Sequence, residues 1–100
     1  IYFGRNNLKG RHPIVFLSDI DEDTFNGLML THSPIRDNVL LSSKHFEWVN
    51  EGFDTETTHL VRRRLIKKNA WEPFTLVGKL SKEGLLFVDE KTQGMKADYF

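Results

Sequence analysis

A small, mainly β barrel with a C-terminal helix is the fold this sequence predicts. Three observations lead there. Short apolar segments recur in series between polar, turn-forming clusters. A serine that can cap a helix follows the last of those segments. No repeat, low-complexity tract or linker interrupts the 100 residues. A chain of this length fits one domain with one hydrophobic core. It opens on Ile1 rather than Met, and residues ahead of Ile1 are expected to be missing.

Taken in order, Ile1-Tyr2-Phe3 reads as the end of a first strand, and Gly4 to Gly10 as a polar loop. Pro13-Ile14-Val15-Phe16-Leu17 is apolar on both faces, which predicts a central strand, with Pro13 at its first position where a missing N–H is tolerated. Asp19 to Asp23 has too few spaced oxygens, and no following Glu, for a calcium loop, so it reads as solvated. Phe25 to Leu30 is a second strand that runs into Thr31-His32-Ser33-Pro34. Val39-Leu40-Leu41 is a third, and Ser42 or Ser43 caps a helical turn through His45, Phe46 and Trp48. Asn50 to Thr57 is a polar connection.

Thr58 to Lys68 fits both a strand and a helix period; the β-branched Thr57, Thr58 and Val61 favour strand. Phe74 to Leu80 is a further strand containing Gly78. Ser81 then caps a helix through Leu85, Leu86, Phe87 and Val88, with Gly84 weakening its first turn.

Acidic and basic residues balance at fourteen each, so a polyanion binder would have to concentrate its cations locally and widen the patch by dimerising. The absence of cysteine excludes a disulfide scaffold, a thiolate nucleophile and a thiolate zinc site, and agrees with a reducing cytoplasm. No apolar run reaches the roughly 18–20 residues that span a bilayer, and no secretory segment opens the chain, so neither membrane nor export is expected. The four histidines lack the i, i+4 spacing of a helical metal grip, so neither a metal site nor a cofactor is expected. No Gly-x-Ser-x-Gly turn supports a serine hydrolase, and the loop before Arg11 lacks the Gly-Lys-Ser/Thr ending of a phosphate loop.

The constellation with chemistry in it is Arg11-His12 before one strand and Thr31-His32-Ser33 at the end of the next. If the two strands are antiparallel neighbours, these clusters meet at one edge of the barrel. Metal-independent RNA cleavage needs a base for the 2′-OH proton, an acid for the leaving 5′-oxygen and a cation for the phosphorane charge; two imidazoles and a guanidinium supply that set. Turn chemistry ahead of Pro34 is the bland alternative for Thr31-His32-Ser33. Arg62, Arg63, Arg64, Lys67 and Lys68 are either a solvated face or a rail for RNA phosphates, with His59 flanking it. Trp71 and Phe74 either stack bases or lie in the core, and core is the expectation for Phe74. His45 reads as a residue of an amphipathic turn.

Two stretches resemble a known family. Lys9-Gly10-Arg11-His12-Pro13-Ile14-Val15-Phe16-Leu17-Ser18 resembles the Gly-x-Arg-Pro strand of PemK/MazF toxins, and Val77-Gly78-Lys79-Leu80-Ser81-Lys82-Glu83 is similar to the segment leading into that family's last helix. Between them, Leu30-Thr31-His32-Ser33 and Thr58-His59-Leu60-Val61-Arg62 fall where the family has a strand ending in Thr or Ser and an Asp-Gln-Val segment. The resemblance implies an SH3-like barrel, a homodimer, cleavage of single-stranded RNA, an antitoxin protein as partner, and a cytoplasmic site of action. The family's catalytic Arg precedes the Pro directly, where this chain has His12; Arg11 stands one residue earlier, on the opposite face of an extended strand. Its catalytic Thr or Ser carries over to Thr31 or, with a one-residue slip, to Ser33, and its first strand is expected to be shortened or absent here.

The expectation is therefore a toxin-like endoribonuclease in which His12 is base or acid, Arg11 and Thr31 stabilise the phosphate, His32 or Ser33 assists, and His59, Arg62, Arg63 and Lys67 hold RNA. The rival is a non-catalytic small-barrel module that binds nucleic acid or protein through the basic stretch. A purely structural domain is the third reading.

Overall fold

The computed structural model describes residues 1–6, 12–68 and 74–99. Among them nine strands form one curled sheet: β1 (Tyr2–Asn6), β2 (Ile14–Asp19), β3 (Thr24–Thr31), β4 (Val39–Leu40), β5 (Phe46–Val49), β6 (His59–Leu60), β7 (Arg64–Lys68), β8 (Phe74–Leu80) and β9 (Ala97–Tyr99). A 3-10 turn at Ser43–His45 precedes β5, and one helix, α1 (Lys82–Lys91), lies between β8 and β9. The chain is mainly β with a short helix near its C-terminus, and its sheet curls into a half-barrel.

The path through the sheet runs β4-β6-β3-β2-β1-β8-β5, with β7 joining β3 to β9. β2 is central because both of its faces are apolar: Val15 enters the main core and Ile14 a smaller cluster with Phe25 and Leu65. β1 is present, five residues long. It runs on to Asn6 and stands in the middle of the sheet, antiparallel to β2 on one side and β8 on the other.

β3 is the longest strand, and its two halves have different neighbours. Thr24 to Gly27 pair with Lys68 to Leu65 of β7, while Leu30 and Thr31 pair with Leu60 and His59 of β6. The single strand expected over Thr58 to Lys68 is thus two, broken where the Arg63 N–H turns back to the Val61 carbonyl at 2.8 Å. The break keeps the side-chain phase: Leu60 lies opposite Leu30 and Leu65 opposite Gly27, so these residues, five apart, face opposite sides of the sheet and enter different clusters. Bulges in β8, β2 and β5 add local twist and help the sheet curl.

The main core joins Phe3, Val15, Leu28, Leu30, Leu41, Leu60, Val77, Leu80 and Val88. Phe3 is fully buried, with its ring centroid 5.7 Å from that of Phe46 and 5.5 Å from that of Phe53. Gly78 makes room for it: a Cβ there would lie 2.6 Å from Phe3 Cζ and 2.7 Å from the Trp48 carbonyl oxygen.

Ser81 caps α1 as expected, accepting the Gly84 N–H at 3.0 Å, while its own hydroxyl donates to the Lys44 carbonyl at 2.6 Å. The helical turn expected through Trp48 stops at His45, because Phe46–Val49 pairs with β8 instead. The Ser81 N–H reaches the His45 carbonyl at 3.0 Å, binding the turn to the helix start. Gly84 lies against that same carbonyl, with no room for a Cβ. A glycine-to-alanine change inside a helix ordinarily stabilises by up to about 1 kcal/mol. Here the sign should reverse: Gly84→Ala is expected to lower stability by roughly 1–3 kcal/mol, the usual cost of overpacking, read from the midpoint of urea unfolding.

Candidate functional site

β2 and β3 are antiparallel neighbours, with Ile14 opposite Met29, so the start of one lies beside the end of the other. Pairing extends past the strand end, since the Leu30 N–H donates to the Pro13 carbonyl at 2.9 Å. His12, exposed, immediately precedes Pro13 at that end of the sheet. On the other side of β3, Thr31 is paired with His59 of β6. His12, Thr31, His32 and His59 thus share one rim of the half-barrel. Arg11 and Trp71 lie outside the described residues, as does the Phe74 side chain.

Thr31 is buried, and its hydroxyl accepts the Ser33 N–H at 3.2 Å. The Ser33 hydroxyl accepts the Ile35 N–H at 3.4 Å, and its carbonyl accepts Asn38 Nδ2 at 3.0 Å. Both hydroxyls are engaged in shaping the turn that carries His32 out of the sheet.

Both rim imidazoles meet Thr57. His32 Nδ1 is 3.0 Å from the Thr57 hydroxyl oxygen, and His59 Nδ1 is 2.9 Å from its carbonyl oxygen. The Thr57 hydroxyl donates to Asp54 Oδ2 at 2.9 Å, and the Glu56 N–H donates to Asp54 Oδ1 at 2.8 Å. The buried Thr58 anchors the segment from below, its hydroxyl donating to the Asp54 carbonyl at 2.6 Å. The Glu56 N–H first, then the Thr57 hydroxyl, hold the Asp54 carboxyl below its usual range, so it is an anion at neutrality.

Sequence reasoning missed Asp54, Phe53 and Thr57, reading them as a polar connection. The available signal was Asp54-Thr55-Glu56-Thr57, a spacing at which an aspartate accepts the N–H two residues on. Phe53 ties this loop to the interior: its centroid is 5.5 Å from that of Phe3 and 6.0 Å from the His32 ring. His32, Glu51, Phe53, Asp54, Thr75 and Leu76 border an open depression of ≈ 460 Å³. Among the described residues, no three His, Asp or Glu side chains are grouped to hold a metal ion, and no helix is long and apolar enough to cross a membrane.

The basic stretch is largely engaged with the fold. Arg62 Nε donates to the Lys91 carbonyl at 3.0 Å, and Arg64 Nε to the Thr92 carbonyl at 3.0 Å. Carboxylates accompany them: Asp37 is 3.7 Å from Arg62, Asp98 is 3.8 Å from Arg63, and Asp89 is 2.9 Å from Arg64. Lys67 is buried on the same side of β7 as Leu65. Guanidinium donors on the last carbonyls of α1 satisfy groups the helix leaves unpaired and oppose the negative end of its dipole. Replacing Arg64 with Met should therefore lower the unfolding midpoint by about 1–2 kcal/mol of stability, with nucleic-acid affinity unchanged.

His45, the fourth histidine, ends the turn Ser43–His45 and forms its buried side, with Lys44 exposed, so the turn is amphipathic as expected. Its Nδ1 accepts the Ser42 N–H at 2.9 Å, and its ring stacks on Phe87 at 4.2 Å. Burial above all, then the charge of Lys44, pushes its pKa below the ordinary 6.5. The unfolded chain then takes up this proton before the native one does. The stability that His45 contributes is complete above about pH 6.5 and drains away as pH falls through the depressed native value. Unfolding midpoints from neutrality to about pH 5 should fall more steeply in the parent than in His45→Gln, which starts less stable and lacks this component of the slope.

No family model, no curated protein and no solved structure matches this chain.

Proposed function

We propose that this protein is a toxin-like endoribonuclease of the PemK/MazF kind, cleaving single-stranded RNA by metal-independent acid/base chemistry. The observation that carries the reading is the gathering of His12, Thr31, His32 and His59 at one rim from the start of β2, the end of β3 and β6.

In this reading one imidazole, His32, takes the proton of the ribose 2′-OH. The freed oxygen attacks the adjacent phosphorus, the P–O5′ bond breaks, and a second imidazole, His12, protonates the departing 5′-oxygen. A 2′,3′-cyclic phosphate and a 5′-hydroxyl result. The attack is intramolecular, so holding the nucleotide in line supplies much of the acceleration. Arg11 and Thr31 stabilise the phosphorane, Ser33 assists, and His59 lies beside the reacting nucleotide. With Lys67 buried and Arg62 and Arg64 bonded to the end of α1, RNA contacts fall mainly to the exposed faces of Arg62 and Arg63, whose side chains are 38% and 53% accessible. Homodimer formation would double this thin cationic surface; an antitoxin partner and a cytoplasmic setting follow from the same resemblance.

A second reading, a non-catalytic binding module, is favoured by one observation: the Thr31 and Ser33 hydroxyls already accept backbone N–H groups and serve the turn. A single assay separates the two. Purified protein is incubated in EDTA with a long single-stranded RNA, beside His12→Ala and His32→Ala. The nuclease yields discrete fragments, and each variant loses about 10²-fold or more in rate, the usual contribution of general acid/base catalysis. Intact RNA from folded parent protein favours the binding module; cleavage that both variants retain removes His12 and His32 from the mechanism.

A further inference from the structure

The hydrogen bonds around Thr57 determine which nitrogen of His32 is free to act. A hydroxyl has one proton, and a carboxylate anion can only accept. The Thr57 proton is directed to Asp54 Oδ2 at 2.9 Å, so its oxygen can meet His32 Nδ1, 3.0 Å away, only through a lone pair. Nδ1 must therefore carry the hydrogen, and neutral His32 has its basic lone pair on Nε2. His59 obeys the same logic, because its Nδ1 faces the Thr57 carbonyl, another group that only accepts.

We propose that Asp54 and Thr57 are positioning residues that hold His32 as the Nδ1–H tautomer, so that Nε2 is the nitrogen that takes the substrate proton. The inference rests on the nuclease reading for its catalytic meaning. When Nε2 accepts the 2′-OH proton, the ring becomes an imidazolium whose Nδ1–H still points at Thr57. The carboxylate beyond Thr57 stabilises that charge, and no second proton moves. His32 also borders the ≈ 460 Å³ depression beside Phe53, so the nitrogen not taken by Thr57 is the one left for a nucleotide held there. Thr57 is the joint of the arrangement. Its side chain sets one imidazole, its carbonyl sets the other, and Thr58 pins it to the Asp54 carbonyl beneath.

Asp54→Asn makes a sharp test. Asp54 Oδ1 accepts the Glu56 N–H at 2.8 Å, so the asparagine keeps its oxygen there and presents its NH2 to Thr57. The threonine proton is then displaced toward His32 Nδ1, and the tautomer reverses. Thr57→Val removes the hydroxyl while keeping the carbonyl, so His32 is released but His59 is not.

The experiment is nitrogen–proton correlation spectroscopy of the imidazoles at about pH 8, above the ordinary histidine pKa, together with steady-state RNA cleavage. The expected result is Nδ1–H at His32 and His59 in the parent, Nε2–H at His32 in Asp54→Asn, and loss of the Nδ1–H state at His32 alone in Thr57→Val. Retained Nδ1–H at His59 reports that each variant is folded. Asp54→Asn should lower kcat by about 10²-fold with KM little changed. Nε2–H at His32 in the parent, or an unchanged His32 tautomer in both variants, overturns the relay. So does undiminished cleavage by Asp54→Asn. A parent that cuts no RNA overturns the nuclease reading instead, and the spectra then decide the relay by themselves.

Discussion

Everything in this small sheet hangs on the divided pairing of β3. One edge of the strand runs along β2, while its other edge is shared, with β7 on the first half and β6 on the second. The two partners on that edge are offset by two residues in register, and the chain between them turns out of the ladder at 61–63. Side chains keep their alternation across that turn, so Leu60 and Leu65 are buried on opposite faces, one in each hydrophobic cluster. It also leaves the end of β3 with a short partner, β6, which carries His59 to the level of Thr31.

The rim and the core are therefore parts of one structure. Phe3 fills the space that Gly78 leaves, Phe53 packs on Phe3, and the His32 ring lies against Phe53. The 50–57 connection is held by that aromatic contact, by the Asn50 side chain on the Leu76 carbonyl at 2.7 Å, and by Thr58 in the interior. An exposed hydrogen bond competes with water and adds only about 1 kcal/mol. The geometry of His32 is defined because several such bonds share a residue that a buried neighbour already fixes.

Charge in this protein is used chiefly for internal docking. The half-exposed ion pairs of Arg62 and Arg64 contribute little as pairs, since solvent screens them. Their Nε–H bonds to the Lys91 and Thr92 carbonyls matter more, because they engage groups that α1 cannot satisfy internally. Thr92, itself buried, completes the seal with its hydroxyl on the Val88 carbonyl. A run of cations in the sequence reads as a binding surface; folded, much of it clasps the end of α1.

What the sequence determined alone was whatever depends on neighbours a few residues apart. The two-faced apolar run at β2, the Ser81 cap on α1 and the strand through Val77 and Leu80 are legible because local periodicity and capping encode them. The rim could be anticipated in outline, since adjacent strands in series tend to pair and bring the start of one to the end of the next. Tertiary structure decided the rest. β9 pairs in parallel with β7 across the helix, which no local pattern announces. Lys67 is interior because the register of β7 on β3 sets it opposite Phe25, on the face that carries Leu65. His32 meets Thr57 across twenty-five residues of chain. These outcomes depend on which backbones pair and in what register, and register is set by the burial of both clusters at once, a property of the whole sheet rather than of any segment of it.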